Sequence, residues 1–209
     1  MKSIKFFRQR TGETCGISCI LMILHYYKCK DEHGEHFATP RKERVFYDRY
    51  GAKATRGTLA TGIARALTNN HLDARIVYSS THPIDNVGGY FSDEVYRKVC
   101  EEENEKIAEA QGRFTAEMGA HITPDDVKGE LLKGRLVVLQ IMYGEKDEDR
   151  TDDYWRGQDP HWILLHDYEN DRFIGRDPAK GYKEWTREMI EECIDTPFGR
   201  TYISVQQKK

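Results

Sequence analysis

Apolar positions gather into a few dense runs separated by strongly polar stretches. The first run places Ile17, Ile20, Leu21 and Leu24 at helical spacing, and Met22 and Ile23 extend the apolar surface nearly all round. This pattern predicts a centrally buried helix from Thr14 to Tyr27. Residues 28–57 are polar and predict a loop with a short helix over Arg41–Tyr50. Leu59, Ile63, Ala66 and Leu67 mark the inner face of a second helix, Leu59 to Thr68, with Thr58 as its cap. A short strand is predicted at Arg75–Tyr78. A charged helix is predicted over Ser92–Gly112, where Val95, Val99 and Ile107 are the main apolar positions.

Thr123-Pro124-Asp125-Asp126 reads as a helix start: a capping hydroxyl, a proline at the first position, then acids at the positive helix end. That helix is predicted to end near Gly134. Arg135–Tyr143 is a β-rich run. His161–Tyr168 and Arg172–Arg176 form a hairpin with a three-residue loop, Glu169-Asn170-Asp171. A short helix, Arg187–Ile194, precedes a last strand, Thr201–Val205. Helices come first and an antiparallel sheet second, so the expected fold class is α+β in one domain spanning 1–209.

Composition narrows the function. The 209 residues carry 32 Lys and Arg against 35 Asp and Glu, a net charge of -3 that argues against a dedicated nucleic-acid binder. Mean hydropathy is low at -0.76, yet 11 % aromatics and the dense apolar runs still build a core. The longest apolar run is far shorter than a membrane span, and Met1–Arg10 lacks the apolar stretch of a signal peptide. A soluble cytoplasmic chain without membrane or nucleic-acid partners is expected. The five cysteines are odd in number and too sparse for a disulfide scaffold, so reduced thiols are expected.

One of those thiols is poised for chemistry. Cys15 stands at the start of the first helix, where exposed N–H groups and the helix dipole stabilise a thiolate. Gly16 would let a substrate approach the backbone. Cys19, one turn deeper, is expected to be an inert core thiol. His161 opens an apolar strand and Asp177 ends the next one. With the three-residue loop, Tyr168 opposes Arg172 and Asp177 opposes Ile163, which puts His161 and Asp177 one diagonal step apart on a shared face. A carboxylate there would orient the imidazole as the third member of a nucleophile–base–orienter set. Gln9, six residues before Cys15, would place a side-chain amide beside the Cys15 N–H in an oxyanion hole.

Gln-x5-Cys-Gly opening an apolar helix that closes on Tyr-Tyr, then His-Trp-Ile-Leu-Leu, then Asp-Pro-Ala-x-Gly, span Gln9 to Gly181. Together they resemble the bacteriocin-processing, double-glycine-type cysteine peptidases of the papain superfamily. The resemblance implies a papain-like fold, with the nucleophile on a central helix packed against a C-terminal antiparallel sheet. It implies Cys15 as nucleophile, His161 as general base and acid, Asp177 as orienter and Gln9 as oxyanion donor, without metal or cofactor. Two features depart from the family pattern. Thr14 stands where an acid is frequent, and is read as the helix cap. The segments near 79–122 and 144–159 look like insertions that shape substrate choice. Members that process exported peptides are usually fused to a transporter. With no membrane segment or nucleotide-binding motif here, that role is not expected.

The chemistry that follows is acyl transfer through a Cys15 thioester. Water as acceptor makes a cysteine peptidase or amidase acting on a peptide or amide, the leading reading. An amine as acceptor makes an amide-forming acyltransferase. That second kind resembles papain-like enzymes of bacterial specialised metabolism that take an acyl chain from a carrier protein, including the amide synthetase of polythioamide antibiotic assembly. Basic clusters at Arg41–Arg44 and Arg49–Arg56 would suit an acidic carrier. A catalytically silent binding module is the third reading. Other signals are weaker. Cys29, His33 and His36 have spacing a metal could use, but read as polar loop. Gly88-Gly89 reads as a turn, His166-Asp167 as a surface pair, and the acids from Asp147 to Asp153 as a solvated flap with calcium as a remote option.

Overall fold

The structure, a computed structural model, describes residues 3–30, 34, 39–52, 57–81, 93–109, 112–142, 160–196 and 199–208. Its elements follow in the order α1 (Cys15–Tyr26), α2 (Pro40–Tyr50), α3 (Ala60–Thr68), β1 (Leu72–Tyr78), α4 (Asp93–Glu109), β2 (Thr115–Glu117), α5 (Pro124–Leu132), β3 (Leu136–Met142), β4 (Pro160–Glu169), β5 (Arg172–Asp177), β6 (Gly181–Trp185), α6 (Arg187–Cys193) and β7 (Thr201–Gln207). The strands form one sheet in the order β2-β1-β7-β3-β4-β5-β6. Among the described residues no helix is long and apolar enough to cross a membrane.

Side-chain alternation explains why the central strands are apolar throughout. Val138, Leu164 and Ile203 face α1 and α3, whereas Val137, Leu139, Ile163 and Leu165 pack with residues of α5 and α6. With both faces covered, β3 is an almost unbroken buried run. On the first face, every residue of α1 from Cys15 to Leu24 is buried, as its all-round apolar pattern requires.

The α+β architecture is the expected one, with local corrections. The sheet is not wholly antiparallel: β2 pairs with β1 in parallel, and three residues were too few to signal a strand. β6 was also not anticipated, because its middle residues are exposed or half-buried and it has no apolar run. Thr58 does not cap α3. Leu59 holds the cap position, and the Thr58 carbonyl accepts a hydrogen bond from Trp162 Nε1 at 2.7 Å. Thr14 does occupy the cap position of α1, but its hydroxyl donates to the Thr11 carbonyl instead of capping the helix.

The β4–β5 hairpin departs from expectation twice, and the two departures cancel. Its loop is two residues, Asn170 and Asp171, both at positive φ, so Glu169 pairs with Arg172 and Tyr168 with Phe173. A bulge between Leu165 and Asp167 then shifts the register by one, bringing Leu164 opposite Arg176. Beyond the bulge the alignment is the one the three-residue loop predicts. His166, at the bulge, is buried and not half of a surface pair.

Gly16 has a different role from the one expected. A Cβ there would lie 2.8 Å from Thr58 Cβ and 3.2 Å from the Trp162 ring, so its bare backbone lets α1 seat against Thr58 and β4. Gly16→Ala is therefore expected to destabilise the fold by about 1–3 kcal/mol in urea unfolding. Gly129→Ala, in α5 with nothing within 4 Å of the new Cβ, should stabilise it by up to about 1 kcal/mol. Equal effects of the two would show that Gly16 is not a packing constraint.

Candidate functional site

The site forms where the start of α1 meets the start of β4 and the end of β5. His161 lies opposite Ile141 at the entry of β4. Its Nε2 donates to Asp177 Oδ1 at 3.0 Å. Since an ionised carboxylate only accepts, this bond fixes the proton on Nε2. Cys15 is close enough to the ring to favour its charged form, and Nδ1 is the ring nitrogen that Asp177 does not engage. Cys15 is 4 % exposed, and His161 and Asp177 are both fully buried. The diagonal pairing read from strand alternation is thus present, with the thiol alongside.

Asp177 is held by more than its strand. The Asp-Pro-Ala-x-Gly stretch is the β5–β6 turn, in which Asp177 pairs with Gly181. The Ala179 N–H donates to Asp177 Oδ1 at 2.8 Å, on the same oxygen that receives His161. Gly181 sits at φ +98°, a conformation that favours glycine and explains the end of the motif. These positioning contacts were not anticipated, because they depend on the unrecognised strand β6.

Gln9 is anchored next to this turn through its backbone N–H, which donates to the Pro178 carbonyl at 3.0 Å. Its side chain is not aimed as expected: Nε2 donates to the Thr11 carbonyl at 2.9 Å. Gln9 also lines a groove of about 400 Å³ together with Phe6, Phe7, Ser18, Leu21 and Glu43. Trp162 braces the site from below. Its indole holds Thr58 and its carbonyl accepts from the Cys19 Sγ at 3.6 Å, which ties β4 to α1 one turn below Cys15. Burial pushes the Cys19 thiol well above its ordinary value, in keeping with an inert core thiol.

The other candidates do not join this site. Cys29 Sγ donates to the Asn70 carbonyl at 3.7 Å, while His33 and His36 lie outside the described residues. Gly88, Gly89, the acidic segment 144–159 and Lys53 to Arg56 also lie outside them. Among the described residues no cluster of His, Cys, Asp and Glu could hold a metal ion. Arg44 of the first basic cluster pairs with Asp48 at 3.2 Å.

Burial disfavours charge on His161, but the hydrogen bond with Asp177 and the neighbouring Cys15 prevail and push it from 6.5 up to about 9. The folded protein therefore holds this proton more tightly than the unfolded chain. That stabilisation is complete below about pH 6.5 and is lost as pH rises through about 9. NMR titration of the ring should accordingly show a midpoint near 9, falling in Asp177→Asn, and urea stability should decline across the same window. A midpoint unchanged in Asp177→Asn would remove Asp177 as the support of the cation.

Known proteins share this fold. A C39-like peptidase described from Bacillus anthracis shares the fold at TM-score 0.55 and 12 % identity, with 100 % of this chain and 97 % of that chain covered. A double glycine motif protease from an AMS/PCAT transporter, solved with a leader peptide, matches at TM-score 0.47 and 16 % identity over 99 % and 94 % of the two chains. The peptidase domain of Streptococcus ComA matches at TM-score 0.49 and 11 % identity over 99 % and 100 %. No curated protein matches the sequence significantly. The model of the Peptidase_C39 like family matches residues 4–205, and the chain belongs to that family.

Proposed function

We propose that this protein is a cysteine peptidase or amidase acting through a thioester on Cys15. The observation that carries the reading is the buried relay of thiol, imidazole and carboxylate, with the proton fixed on the Asp177 side of the ring. A ring that stays cationic up to about 9 is a proton donor at neutral pH, and a cation beside the sulfur is the setting in which a thiolate nucleophile is held.

The sulfur attacks the substrate carbonyl carbon, and the carbonyl π pair moves onto oxygen. The first N–H groups of a helix lack intrahelical acceptors, so the Cys15 N–H is suited to receive that oxyanion. Gln9 supplies a second donor once its amide turns from Thr11, its backbone remaining fixed at Pro178. Collapse breaks the C–N bond, and His161 gives its proton to the leaving amine. Water then attacks the thioester with neutral His161 as base, releasing the acid and restoring the thiolate–imidazolium pair. Asp177 remains ionised throughout. The groove beside Gln9, with the apolar side chains of Phe6, Phe7 and Leu21, suits an extended peptide segment.

The burial of Cys15 and His161 favours a second reading, in which an amine resolves the acyl-enzyme and the product is an amide. A carrier protein as acyl donor belongs to that reading. The third, a silent binding module, requires an unreactive Cys15.

Iodoacetamide at neutral pH is expected to modify Cys15 ahead of Cys19, Cys29, Cys100 and Cys193, and His161→Ala should abolish that preference; uniform labelling would sink the nucleophile assignment. Intact-protein mass spectrometry with peptide and carrier-thioester donors should show an acyl adduct on Cys15 that is absent in Cys15→Ala. Free acid as product identifies hydrolysis, and amide formed with added amine identifies transfer. Gln9→Ala should lower kcat by about 10²–10³-fold with the adduct still forming slowly. An unchanged kcat would remove Gln9 from the oxyanion hole.

A further inference from the structure

The groove beside Gln9 combines two chemistries. Phe6, Phe7 and Leu21 give it apolar walls, and Gln9, Ser18 and Glu43 are its enclosed polar residues. Ser18 stands three residues after Cys15 in α1. Residues at that spacing are neighbours on a helix, with Cβ atoms about 5–6 Å apart. The groove therefore lies within reach of a chain bonded to the Cys15 sulfur.

Each of the three polar residues carries an unused oxygen. Glu43 is only 5 % exposed. Its Oε1 accepts the Arg10 backbone N–H at 3.0 Å, and among the described residues no cation pairs with the carboxylate. Ser18 is 1 % exposed, and its hydroxyl has no hydrogen-bond partner among the described residues. Gln9 gives its Nε2 to the Thr11 carbonyl, which leaves Oε1 buried and equally unpartnered. Buried polar atoms are ordinarily paired, and a buried carboxylate ordinarily meets a cation. The position of Glu43 in the first turn of α2 favours its charge, but supplies no partner for Oε2.

The unused atoms select the sign of the occupant. A carboxylate and an amide oxygen only accept, and a hydroxyl accepts as readily as it donates. Water brings two donors and no charge, so it leaves the Glu43 carboxylate without a counter-ion. An ammonium or guanidinium brings three or more donors together with the matching charge. Arg8 and Arg10 also line the groove, but both are exposed. Their charges face water and are screened, whereas that of the enclosed Glu43 is not. The apolar walls complete the match, because lysine and arginine carry their charge at the end of a hydrocarbon stem.

We propose that this groove is a subsite for a basic side chain of the peptide that acylates Cys15, its stem along Phe6, Phe7 and Leu21 and its cationic head on Glu43 and Ser18. Gln9 moves during acyl transfer, so Glu43 and Ser18 are the fixed acceptors. A volume of about 400 Å³ lies within the range of ligand pockets. That the occupant belongs to a substrate rests on the peptidase reading above.

The Cys15→Ala protein separates binding from turnover. Calorimetric titration with acetyl-Ala-Lys-Ala amide, whose one charge is on its lysine, should give saturable binding. The norleucine analogue, with the stem but no charge, should bind about tenfold or more weakly. So should n-butylamine, which has the ammonium and stem without the peptide. Glu43→Gln should bring the lysine and norleucine peptides to within about twofold of each other, and Ser18→Ala should weaken the lysine peptide about threefold or more. The proposal is overturned by no saturable binding up to about 20 mM, or by norleucine peptide or butylamine binding as well as the lysine peptide. A lysine preference retained in a folded Glu43→Gln variant overturns it too. Should that variant not fold, unchanged affinity in Ser18→Ala does the same. The two readings fail separately. An acyl adduct on wild-type Cys15 without a lysine preference strikes the subsite alone, and a Glu43-dependent preference without any adduct strikes the peptidase reading.

Discussion

The hydrogen bond from His161 Nε2 to Asp177 Oδ1 constrains the surrounding structure more than any other contact. Both residues are fully removed from solvent, where an ionised carboxylate survives only if its acceptor capacity is used. Breaking such a buried pair by removing one partner costs about 3–5 kcal/mol, far more than a surface ion pair contributes. The architecture at the end of β5 meets this demand. The bulge sets the register that brings the two residues onto one diagonal, and the tight β5–β6 turn adds the Ala179 N–H to the same oxygen. The carboxylate is therefore oriented by the fold alone.

A fixed imidazole is useful only if the sulfur is delivered to it, and that task falls to packing. α1 is buried along the ten residues from Cys15 to Leu24, so its position is set by close contact with the sheet. The glycine after Cys15 removes a Cβ that would clash with Thr58, and Trp162, the residue next to His161, holds Thr58 and Cys19 and packs against Gly16. The two halves of the relay, far apart in the chain, are held by adjacent residues, Gly16 beside Cys15 and Trp162 beside His161. Small displacements here would matter, since a misplacement of about 1 Å can cost a hundredfold in rate.

The features readable from the chain were those with local causes. The α1 periodicity, the Thr123-Pro124 helix start and the β3 apolar run each come from residues close in sequence. The pairing of His161 with Asp177 was inferred from alternation, yet through a loop one residue too long and without the bulge at His166. No local residue pattern marks that bulge, which offsets the two-residue turn. The parallel β1–β2 pair was hidden for a similar reason: its partners are separated by α4, and β2 is stabilised by its neighbour alone. Gly16 was misread because a glycine beside a candidate nucleophile fits close substrate approach and close helix packing equally well from sequence. Only the positions of Thr58 and Trp162 distinguish the two.

The sheet also keeps the packing on its two faces apart. Tyr202 pairs with Leu139, and Leu139 with Ile163, two residues from His161, so a continuous backbone ladder joins Tyr202 to the neighbourhood of His161. Continuity of this kind does not by itself couple two sites; coupling needs an element with two arrangements that both sites bias. The intervening strands are poor candidates for such an element. β3 is packed on both faces and hydrogen-bonded on both edges, and a one-residue slip would exchange its two buried faces at once. The same rigidity that keeps His161 aligned with Asp177 thus isolates that pair from small displacements on the α5 face. The groove lined by Gln9, Phe6, Phe7 and Leu21 lies on the other side of the sheet, with the α1 core.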